Sequence, residues 1–406
     1  MQIEIRPCGD AVELREAVGA ITDYFAREKP TEEWAERWLK NFELERMLAA
    51  IDDGKIVGGA GAFSFKTTVP GGASVPCAGV TVVGVKPTHR RRGILRSMMR
   101  IQLDDAHERG EPLATLYASE ETIYGRYGYG LASLNLNVEI PKAYNEFRPG
   151  AGVVGSVRFV EPDEAAVLFP PIYDAVRAAT PGMFERDATW WETRPLNDPP
   201  EARFGGGPKH LVVHEVDGAP LGYAIYRLGG EWGDFGPESA VRAIEVIAAA
   251  PESTVSLWRF LLDIDWTKAA TTFLMPVDHP LFLLLARPNH ARPRLTDGIW
   301  VRLVDVGAAL SAREYPSADP VVFDVRDEFC PWNEGRWKLE GGEASRTEGE
   351  ADIALDVAEL GSVYLGGFTF RDLLRAGRIE ELREGAVYGA DSIFRGEVAP
   401  WCPEIF

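Results

Sequence analysis

The chain has 406 residues, of which 46% are hydrophobic and 26% are charged, a composition that is typical of globular domains and excludes a disordered chain. Its formal net charge of −19 disfavours binding to nucleic acids or to acidic membrane surfaces. No apolar stretch approaches the roughly 20 residues of a membrane-spanning helix, and the N-terminal residues lack the apolar core of a signal peptide. We therefore expect a cytoplasmic protein with no nucleic-acid or membrane partner.

The four cysteines, Cys8, Cys77, Cys330 and Cys402, are far apart and form no C-x-x-C pair. This spacing indicates neither a disulfide framework nor a zinc site. We expect reduced, mostly buried thiols and no metal cofactor.

The first predicted elements are an N-terminal strand, helices, and two strands over residues 47–51 and 56–65 that a turn signal joins. A longer strand follows over residues 73–85. It is apolar from residue 80 to residue 85 except at Thr81, as in a strand that is buried on both faces.

A helix over residues 94–108 comes next, because apolar residues recur there at helical spacing. A strand over residues 113–117, a short helix over 120–126 and a closing strand over 129–140 complete the region. This alternation of strands and helices predicts an α/β fold. Prolines and glycines in residues 141–155 indicate the first domain boundary.

Residues 156–296 repeat this pattern, with helices near 164–178 and 251–262, and a second boundary is predicted at residues 288–294. From Trp300 onward, short helices and strands mix irregularly, which predicts an α+β domain. The predicted fold class is therefore α/β followed by α+β, in three domains over residues 1–150, 151–296 and 297–406.

The strongest chemical signal is a basic turn at residues 86–93, here called the arginine turn, between a predicted strand and a predicted helix. The first turn of a helix has unpaired N–H groups and a partial positive charge, and Gly93 lets an anion approach the backbone. Arg90, Arg91 and Arg92 add positive charge to an otherwise acidic chain. The pattern predicts a pyrophosphate site; a solvated basic turn and a nucleic-acid patch are the alternatives.

A second signal is the segment 124–130, here called the tyrosine turn, in which Tyr124, Tyr127 and Tyr129 alternate with glycines. Taken alone, this segment indicates either ordinary packing or a tight turn lined with hydroxyl groups.

Together the two turns resemble the GNAT acetyltransferase superfamily. The cofactor turn of that superfamily has the pattern Gln/Arg-x-x-Gly-x-Gly/Ala, and Arg90 and Gly93 match its first two fixed positions. Leu95 departs from the usual Gly or Ala at the third, so the helix start is more crowded here.

The later pattern of the superfamily, Tyr-x-x-x-Gly-Phe/Tyr, is matched by Tyr124, Gly128 and Tyr129. This alignment implies that Tyr124, and not Tyr127 or Tyr129, corresponds to the general acid of the family.

The resemblance extends to the enhanced intracellular survival (Eis) acetyltransferases, and it involves residues 85–95, 118–120, 123–130, 327–333, 364–367, 376–378 and Phe406. It implies tandem GNAT-like domains, the second degenerate, followed by a sterol-carrier-protein-like domain. It also implies a homohexamer and the acetyl-CoA-dependent, multi-site acetylation of aminoglycoside amines. The residues agree in one respect: no Arg-Arg-x-Gly turn precedes the helix at Pro251, so the second domain should lack its own CoA site.

Three sets of contacts to acetyl-CoA are predicted. The pantetheine would pair with the strand backbone of Val83, Gly84 and Val85. The pyrophosphate would lie on the arginine turn and the helix start, at Arg91, Arg92, Gly93, Ile94, Leu95 and Arg96. Two further residues, Ser119 and Glu120, match cofactor contacts of the family. The alternative for Glu120 is a carboxylate that merely stabilises a helix start.

The mechanism requires a proton donor for the thiolate that leaves. The hydroxyl of Tyr124 is protonated at pH 7 and can serve. No histidine lies near Tyr124 in sequence to act as the base; the resemblance implies that the terminal carboxylate, which here belongs to Phe406, takes that role. It could also act through a water molecule, orient the ammonium group, or be an ordered but idle tail.

A polycationic amine substrate needs acidic groups and apolar walls. Asp23 and Glu404 are the acidic candidates, and Phe25, Trp34 and Trp300 are the apolar ones. The alternative for each acid is an ordinary surface charge.

Two other functions compete with an aminoglycoside N-acetyltransferase. A protein lysine N-acetyltransferase would use the same apparatus, and a non-catalytic CoA or lipid sensor would rely on the C-terminal domain. Tyr124 and the apolar C-terminal residues favour catalysis.

Overall fold

The computed structural model describes residues 3–25, 28–230, 232–234 and 236–406. They divide into two compact units. One contains residues up to Ser133 together with Ile299–Pro400 and Ile405–Phe406, and the other contains Leu134–Gly298 and Trp401–Glu404.

The first third of the chain alternates strands and helices as predicted. In chain order it contains β1 (Glu4–Pro7), α1 (Ala11–Thr22), α2 (Glu32–Leu39), β2 (Met47–Asp52), β3 (Lys55–Thr68), β4 (Ser74–Val85), α3 (Ile94–Glu108), β5 (Leu113–Tyr117), α4 (Glu121–Tyr124) and β6 (Gly130–Leu131). Helix α2 begins after Thr31, whose hydroxyl accepts the N–H of Trp34 at 3.2 Å and so satisfies one donor of the first turn.

Helix α3 has the predicted bounds, and its buried face carries Met98, Met99, Leu103 and Ala106. These side chains join a core with Leu48, Ala60, Val80 and Leu116 on the sheet. The helix is therefore fixed against the strand that precedes the arginine turn.

The middle third forms the second unit. Its elements are β7 (Leu134–Pro141), β8 (Ser156–Phe159), α5 (Pro162–Arg177), α6 (Ala188–Thr193), β9 (Gly206–Val216), β10 (Ala219–Gly229), β11 (Trp232–Gly233), β12 (Gly236–Pro237), β13 (Ala240–Ala248), α7 (Pro251–Asp263), β14 (Ala269–Pro276), α8 (Leu281–Leu284) and β15 (Arg294–Asp297). Among the described residues, its main sheet has the order β15-β7-β14-β13-β10-β9-β8.

The last third returns to the first unit. It contains β16 (Ile299–Leu303), α9 (Val306–Ser311), β17 (Val321–Arg326), β18 (Gly335–Glu340), β19 (Glu343–Arg346), β20 (Ile353–Asp356), α10 (Val357–Tyr364), α11 (Phe370–Arg375), β21 (Glu380–Glu381) and α12 (Ala386–Phe394). Over the described residues, the first unit has one sheet of order β1-β2-β3-β4-β5-β16-β6 and another of order β19-β18-β17-β20-β21.

The predicted single strand over residues 129–140 is wrong, because the chain changes sheets within it. Gly130 and Leu131 pair with β16 in the first sheet, whereas Leu134–Pro141 pairs with β14 and β15 in the second. Ser133 marks the change: its hydroxyl accepts the N–H of Ile299 at 2.8 Å, where the later segment enters the first sheet. Strand β16, from the start of the predicted third domain, therefore completes the first sheet. The predicted domain ranges themselves stay predictions.

All four cysteines are buried and free. No described helix has both the length and the apolar character that crossing a bilayer requires.

Candidate functional site

The site begins where two parallel strands separate. Strands β4 and β5 pair only between Cys77–Gly79 and Leu113–Thr115, although β4 continues to Val85. The pairing of β4 with β3 shifts register near Val82, whose φ of 46° marks a bulge. In the described residues, the backbone of Val83, Gly84 and Val85 is therefore left unpaired by β5, as a pantetheine would require. One oxygen is already used: the carbonyl of Val85 accepts the Tyr24 hydroxyl at 2.7 Å.

The arginine turn connects this strand to α3. Gly93 caps the helix with φ 83°, and no side chain bonds to the first-turn N–H groups at this cap. A Cβ built on Gly93 meets no described atom within 4 Å, so the space in front of the helix is open. Arg91 has φ 62°, a conformation that costs a non-glycine residue about 1–2 kcal/mol. The helix N-terminus and the open glycine fit a pyrophosphate group.

The basic side chains of the turn differ in their contacts. Nη1 of Arg92 lies 3.3 Å from Asp52, and Nε2 of His89 lies 3.2 Å from the same carboxylate. Arg90 and Arg91 are exposed and have no hydrogen-bond or ion-pair partner among the described residues. Arg91 is therefore available for an anion, whereas Arg92 is partly neutralised.

Beside the turn lies a cleft of about 270 Å³. It is lined by Ile3, Ile5, Asp52, Arg92, Gly93, Ile94 and Ser97. Leu95 points to the core of the sheet, against which it is partly buried. The exposed guanidinium of Arg96 lies 5.3 Å from the centre of the Phe329 ring.

Ser119 and Glu120 follow β5 and are exposed. One oxygen of Glu120 accepts the Thr122 hydroxyl at 2.6 Å, and its side chain does not cap α4. Glu120 therefore stands at the start of α4 without a capping hydrogen bond, and a carboxylate that stabilises the helix start through the helix dipole stays an alternative to a cofactor contact.

The tyrosine turn holds three buried phenols. The rings of Tyr124 and Tyr129 lie 6.0 Å apart, edge to face, and Tyr127 packs on Phe329 at 5.0 Å. Burial raises the pKa of Tyr124 to about 12, with a smaller contribution from Tyr127. Burial also raises the pKa of Tyr127 and of Tyr129. All three hydroxyls are protonated at neutral pH, so protonation alone does not select the acid.

Phe406 lies at the separation of β4 and β5. Thr81 Oγ1 of β4 donates to the main-chain oxygen of Phe406 at 3.0 Å. The Phe406 ring packs edge-on against Phe65 of β3 at 4.9 Å and against Tyr117 of β5 at 5.8 Å. The last residue is thus held between the strands whose backbone would take the pantetheine.

The five candidate substrate residues have different surroundings. Phe25 is exposed, Trp34 packs on Trp38 in α2, and Trp300 of β16 packs against the core of the first sheet. The side chain of Asp23 lies outside the described part of the structure. Glu404 belongs to the second unit, where its carboxylate accepts from Arg186 at 2.9 Å and from the Trp190 indole at 3.0 Å.

Sequence reasoning missed two residues that shape this site. Thr81 holds Phe406, and its signal was visible as the one polar residue in an apolar strand run. Arg302 lies beneath the tyrosine turn: a Cβ on Gly128 would come within 2.6 Å of its Cζ. A lone arginine at position 302 gives no sequence signal of that kind.

Three sequence families match consecutive parts of the chain. Residues 4–132 and 182–303 each match a family described as "Acetyltransferase (GNAT) domain", and residues 306–403 match "Sterol carrier protein domain". The predicted fold class, two GNAT-like domains followed by a sterol-carrier-protein-like domain, is confirmed.

Relatives match over nearly the whole chain. An N-acetyltransferase of Streptomyces avermitilis is 43% identical over 91% of this chain and 92% of its own length. The N-acetyltransferase Eis of Mycobacterium tuberculosis H37Ra is 33% identical, over 94% and 93%. Among solved structures, Eis1 of Mycobacterium abscessus superposes with a TM-score of 0.85 at 33% identity, covering 99% of this chain and 100% of that one.

Proposed function

Because the chain belongs to the Eis family of GNAT N-acetyltransferases, we propose that it transfers the acetyl group of acetyl-CoA to primary amines, with aminoglycosides as substrates that are acetylated at more than one amine. Enzymes of the GNAT superfamily use acetyl-CoA. The observation that supports its use here is the open, basic arginine turn directly after the end of β4 that β5 leaves unpaired. The net charge of −19 favours the approach of cationic substrates.

The donor would be held along one path. The backbone of Val83, Gly84 and Val85 would pair with the pantetheine. The pyrophosphate would lie on the helix start from Gly93 to Leu95, with Arg91, Arg92 and Arg96 around it, and Ser119 and Glu120 would contact the donor from β5. When bound, acetyl-CoA supplies an acetyl thioester, and the protein supplies the proton transfers.

Tyr124 is the proposed general acid. Its buried hydroxyl remains protonated well above neutral pH, since its pKa is about 12, and it can donate as negative charge develops on the leaving sulfur.

The carboxylate of Phe406 is the proposed base, and this role requires that Phe406 be the last residue of the mature protein. A free terminal carboxylate has a pKa of about 3.5, so it would take the amine proton either after desolvation or through a water molecule. The hydrogen bond from Thr81 at 3.0 Å fixes one of its oxygens and supports a defined position.

The substrate side is proposed from residue type and charge. Phe25, Trp34 and Trp300 would provide apolar walls, and Asp23 and Glu404 would provide negative charge. The Glu404 carboxylate is paired with Arg186 in the second unit. We further propose that the protein assembles as a homohexamer, as the resemblance implies.

A thiol-release assay with acetyl-CoA tests this function. We expect release with aminoglycosides, mass increments of more than one acetyl group, and little release with lysine-containing peptides. Preference for the peptides would favour a lysine N-acetyltransferase, and binding of acetyl-CoA without release for any amine would favour a sensor.

The role of Phe406 is tested by adding residues after it. The extension moves the charge and replaces the carboxylate by a neutral amide, so we expect acetylation to fall strongly while acetyl-CoA still binds. The matched control carries the same extension at the N-terminus. Full activity of the C-terminally extended protein, verified intact by mass spectrometry, would remove Phe406 from the mechanism.

A further inference from the structure

Residues 327–333, here called the 327–333 loop, contribute to the family resemblance but have no part in the proposed chemistry. They belong to the sterol-carrier-protein-like domain. In the structure their side chains contact β16, α3 and the tyrosine turn, all within the first compact unit.

Asp327 holds a buried arginine. Arg302 lies on β16, opposite Ala114 of β5, and is fully buried. Its Nη2 donates to Oδ2 of Asp327 at 2.6 Å. The carboxylate is itself fixed, because it accepts the N–H of Cys330 and the side-chain amide of Asn333, both at 2.9 Å. Three donors therefore hold the Asp327 carboxylate, and one of them is Arg302.

Arg302 supports the tyrosine turn from below. Gly128 has φ 82°, and a Cβ there would lie 2.6 Å from Cζ of Arg302 and 2.8 Å from Cγ1 of Val357. Gly130 comes still closer to α10, since its Cβ would lie 1.8 Å from the Ala358 carbonyl oxygen. Protein interiors transmit such close contacts, so a shift of Arg302 displaces the turn that carries Tyr124.

Phe329 connects the same loop to the arginine turn. Its ring packs on Tyr127, and the guanidinium carbons of Arg100 and Arg96 lie 4.1 Å and 5.3 Å from its centre. Nη2 of Arg100 also donates to Sγ of Cys330 at 3.3 Å. Cations at such distances are attracted to the ring face, so Phe329 restricts Arg96 at the start of α3.

We propose that the 327–333 loop is a positioning element for acetyl transfer: Asp327, acting through Arg302, places the tyrosine turn, and Phe329 places Arg96. The inference rests on the proposed roles of Tyr124 and Arg96. It gives the sterol-carrier-protein-like domain a function in catalysis that requires no lipid. Removing one partner of a buried ion pair leaves an uncompensated charge, and a displacement of about 1 Å in a reacting group can cost about 100-fold in rate.

The first test compares two buried aspartates of the same domain in the full-length protein. Asp327→Asn removes the charge beside Arg302 and conserves shape; we expect turnover with an amine to fall about 10-fold to 100-fold, with the dissociation constant of acetyl-CoA unchanged. Asp352→Asn is the control, because Asp352 pairs with Arg383 and accepts the N–H of Val322 at 2.8 Å. We expect it to retain turnover.

The second test compares two phenylalanines. Phe329→Leu should weaken acetyl-CoA binding about 2-fold to 10-fold, since a cation–ring contact is lost, and should lower turnover at saturation less than Asp327→Asn does. Phe323→Leu is the control: Phe323 is fully buried against Phe370 and Phe394 in the same domain. If the loop only stabilised the fold, Asp327→Asn and Phe329→Leu would each change turnover and acetyl-CoA affinity together. Positioning instead predicts that Asp327→Asn mainly lowers turnover and that Phe329→Leu mainly weakens acetyl-CoA binding.

Equal turnover in Asp327→Asn and Asp352→Asn, or equal acetyl-CoA affinity in Phe329→Leu and Phe323→Leu, would overturn the proposal. If Asp327→Asn does not fold, the Phe329 comparison decides. If the wild-type protein binds acetyl-CoA but acetylates no amine, the proposed function fails, and the affinity comparison still tests the positioning of Arg96.

Discussion

In both compact units, a central strand pairs with a parallel strand over only part of its length and then leads into a helix. In the first unit, β4 and β5 pair only near Gly79 before β4 leads into α3. In the second, β13 and β14 pair only between Ala240–Ala243 and residues 269–272, and β13 leads into α7. The connections differ: residues 86–93 form a long turn in the first unit, whereas only Ala249 and Ala250 separate the elements in the second.

The second helix start offers an anion fewer N–H groups than the first. Pro251 at its first position has no N–H, and the N–H of Ser253 donates to the Ala250 carbonyl at 3.0 Å. Glu252 places a negative charge in the first turn. Both units therefore place a helix N-terminus after the central strand. The turn before the helix decides whether that N-terminus can bind a phosphate.

Residues of the C-terminal tail also reach the separating strands of each unit. In the second unit, the Trp401 indole donates to the carbonyl of Leu274 on β14. In the first, the main-chain oxygen of Phe406 accepts from Thr81 on β4. In the second unit the tail donates to a backbone oxygen, and in the first unit it places the main-chain oxygen of Phe406, the proposed base, beside the proposed pantetheine path.

The largest expected effect comes from Tyr124→Phe, which tests whether chemistry is confined to the first unit. Loss of a general acid lowers turnover roughly 10²–10⁴-fold, and acetyl-CoA affinity should change little because only one hydroxyl is removed. Turnover is measured by thiol release and affinity by calorimetry. The matched control is Tyr226→Phe, a buried tyrosine of the second unit, which should remain active.

A pH titration separates Tyr124 from its neighbours. The acid works while protonated, so its contribution is lost only as pH rises through its pKa, which burial raises from about 10 to about 12. Ultraviolet absorbance follows the ionisation of tyrosines. The difference in absorbance between wild type and Tyr124→Phe should rise near pH 12, where Tyr124 of the wild type forms its phenolate. If Tyr127→Phe loses turnover and Tyr124→Phe does not, the alignment of the tyrosine turn is wrong.

Local parts of this comparison were predictable from the sequence. Helix α3 has the predicted bounds because its stripe of apolar residues and its basic start are both encoded within residues 86–108. The absence of a basic turn before Pro251 was equally visible. Each of these features depends on neighbours in sequence, which pattern reasoning can evaluate.

Features that join distant residues were not predictable. The change of sheet after Leu131 depends on β16, which begins at Ile299, and the contact of Thr81 with Phe406 spans 325 positions. Nor does any spacing rule indicate that the Glu404 carboxylate pairs with Arg186. Such pairings are selected by packing in three dimensions, which one sequence does not display.

A smaller effect is expected for Arg91→Ala, which removes a guanidinium that has no other partner in the described residues. A hydrogen bond to a charged group contributes about 1.5–3 kcal/mol, so acetyl-CoA should bind about 10-fold to 100-fold more weakly. Arg294→Ala, at an exposed arginine of the second unit, changes the net charge equally and is the control. Equal affinities in the two variants would count against the arginine turn as the pyrophosphate site.

The smallest effect is expected for Glu252→Arg. This substitution tests whether charge at the helix start alone explains why only the first unit is proposed to bind acetyl-CoA. The substitution gives α7 a basic first turn, but the short connection, Pro251 and the bonded N–H of Ser253 remain. We therefore expect calorimetry to give one acetyl-CoA per chain, as in the wild type. Since an acidic residue near a helix N-terminus contributes about 0.3–1 kcal/mol, urea denaturation should show a loss of stability of about that size. A second binding event would show that charge at the helix start is sufficient, and that the open backbone of Gly93 is not what distinguishes the first unit.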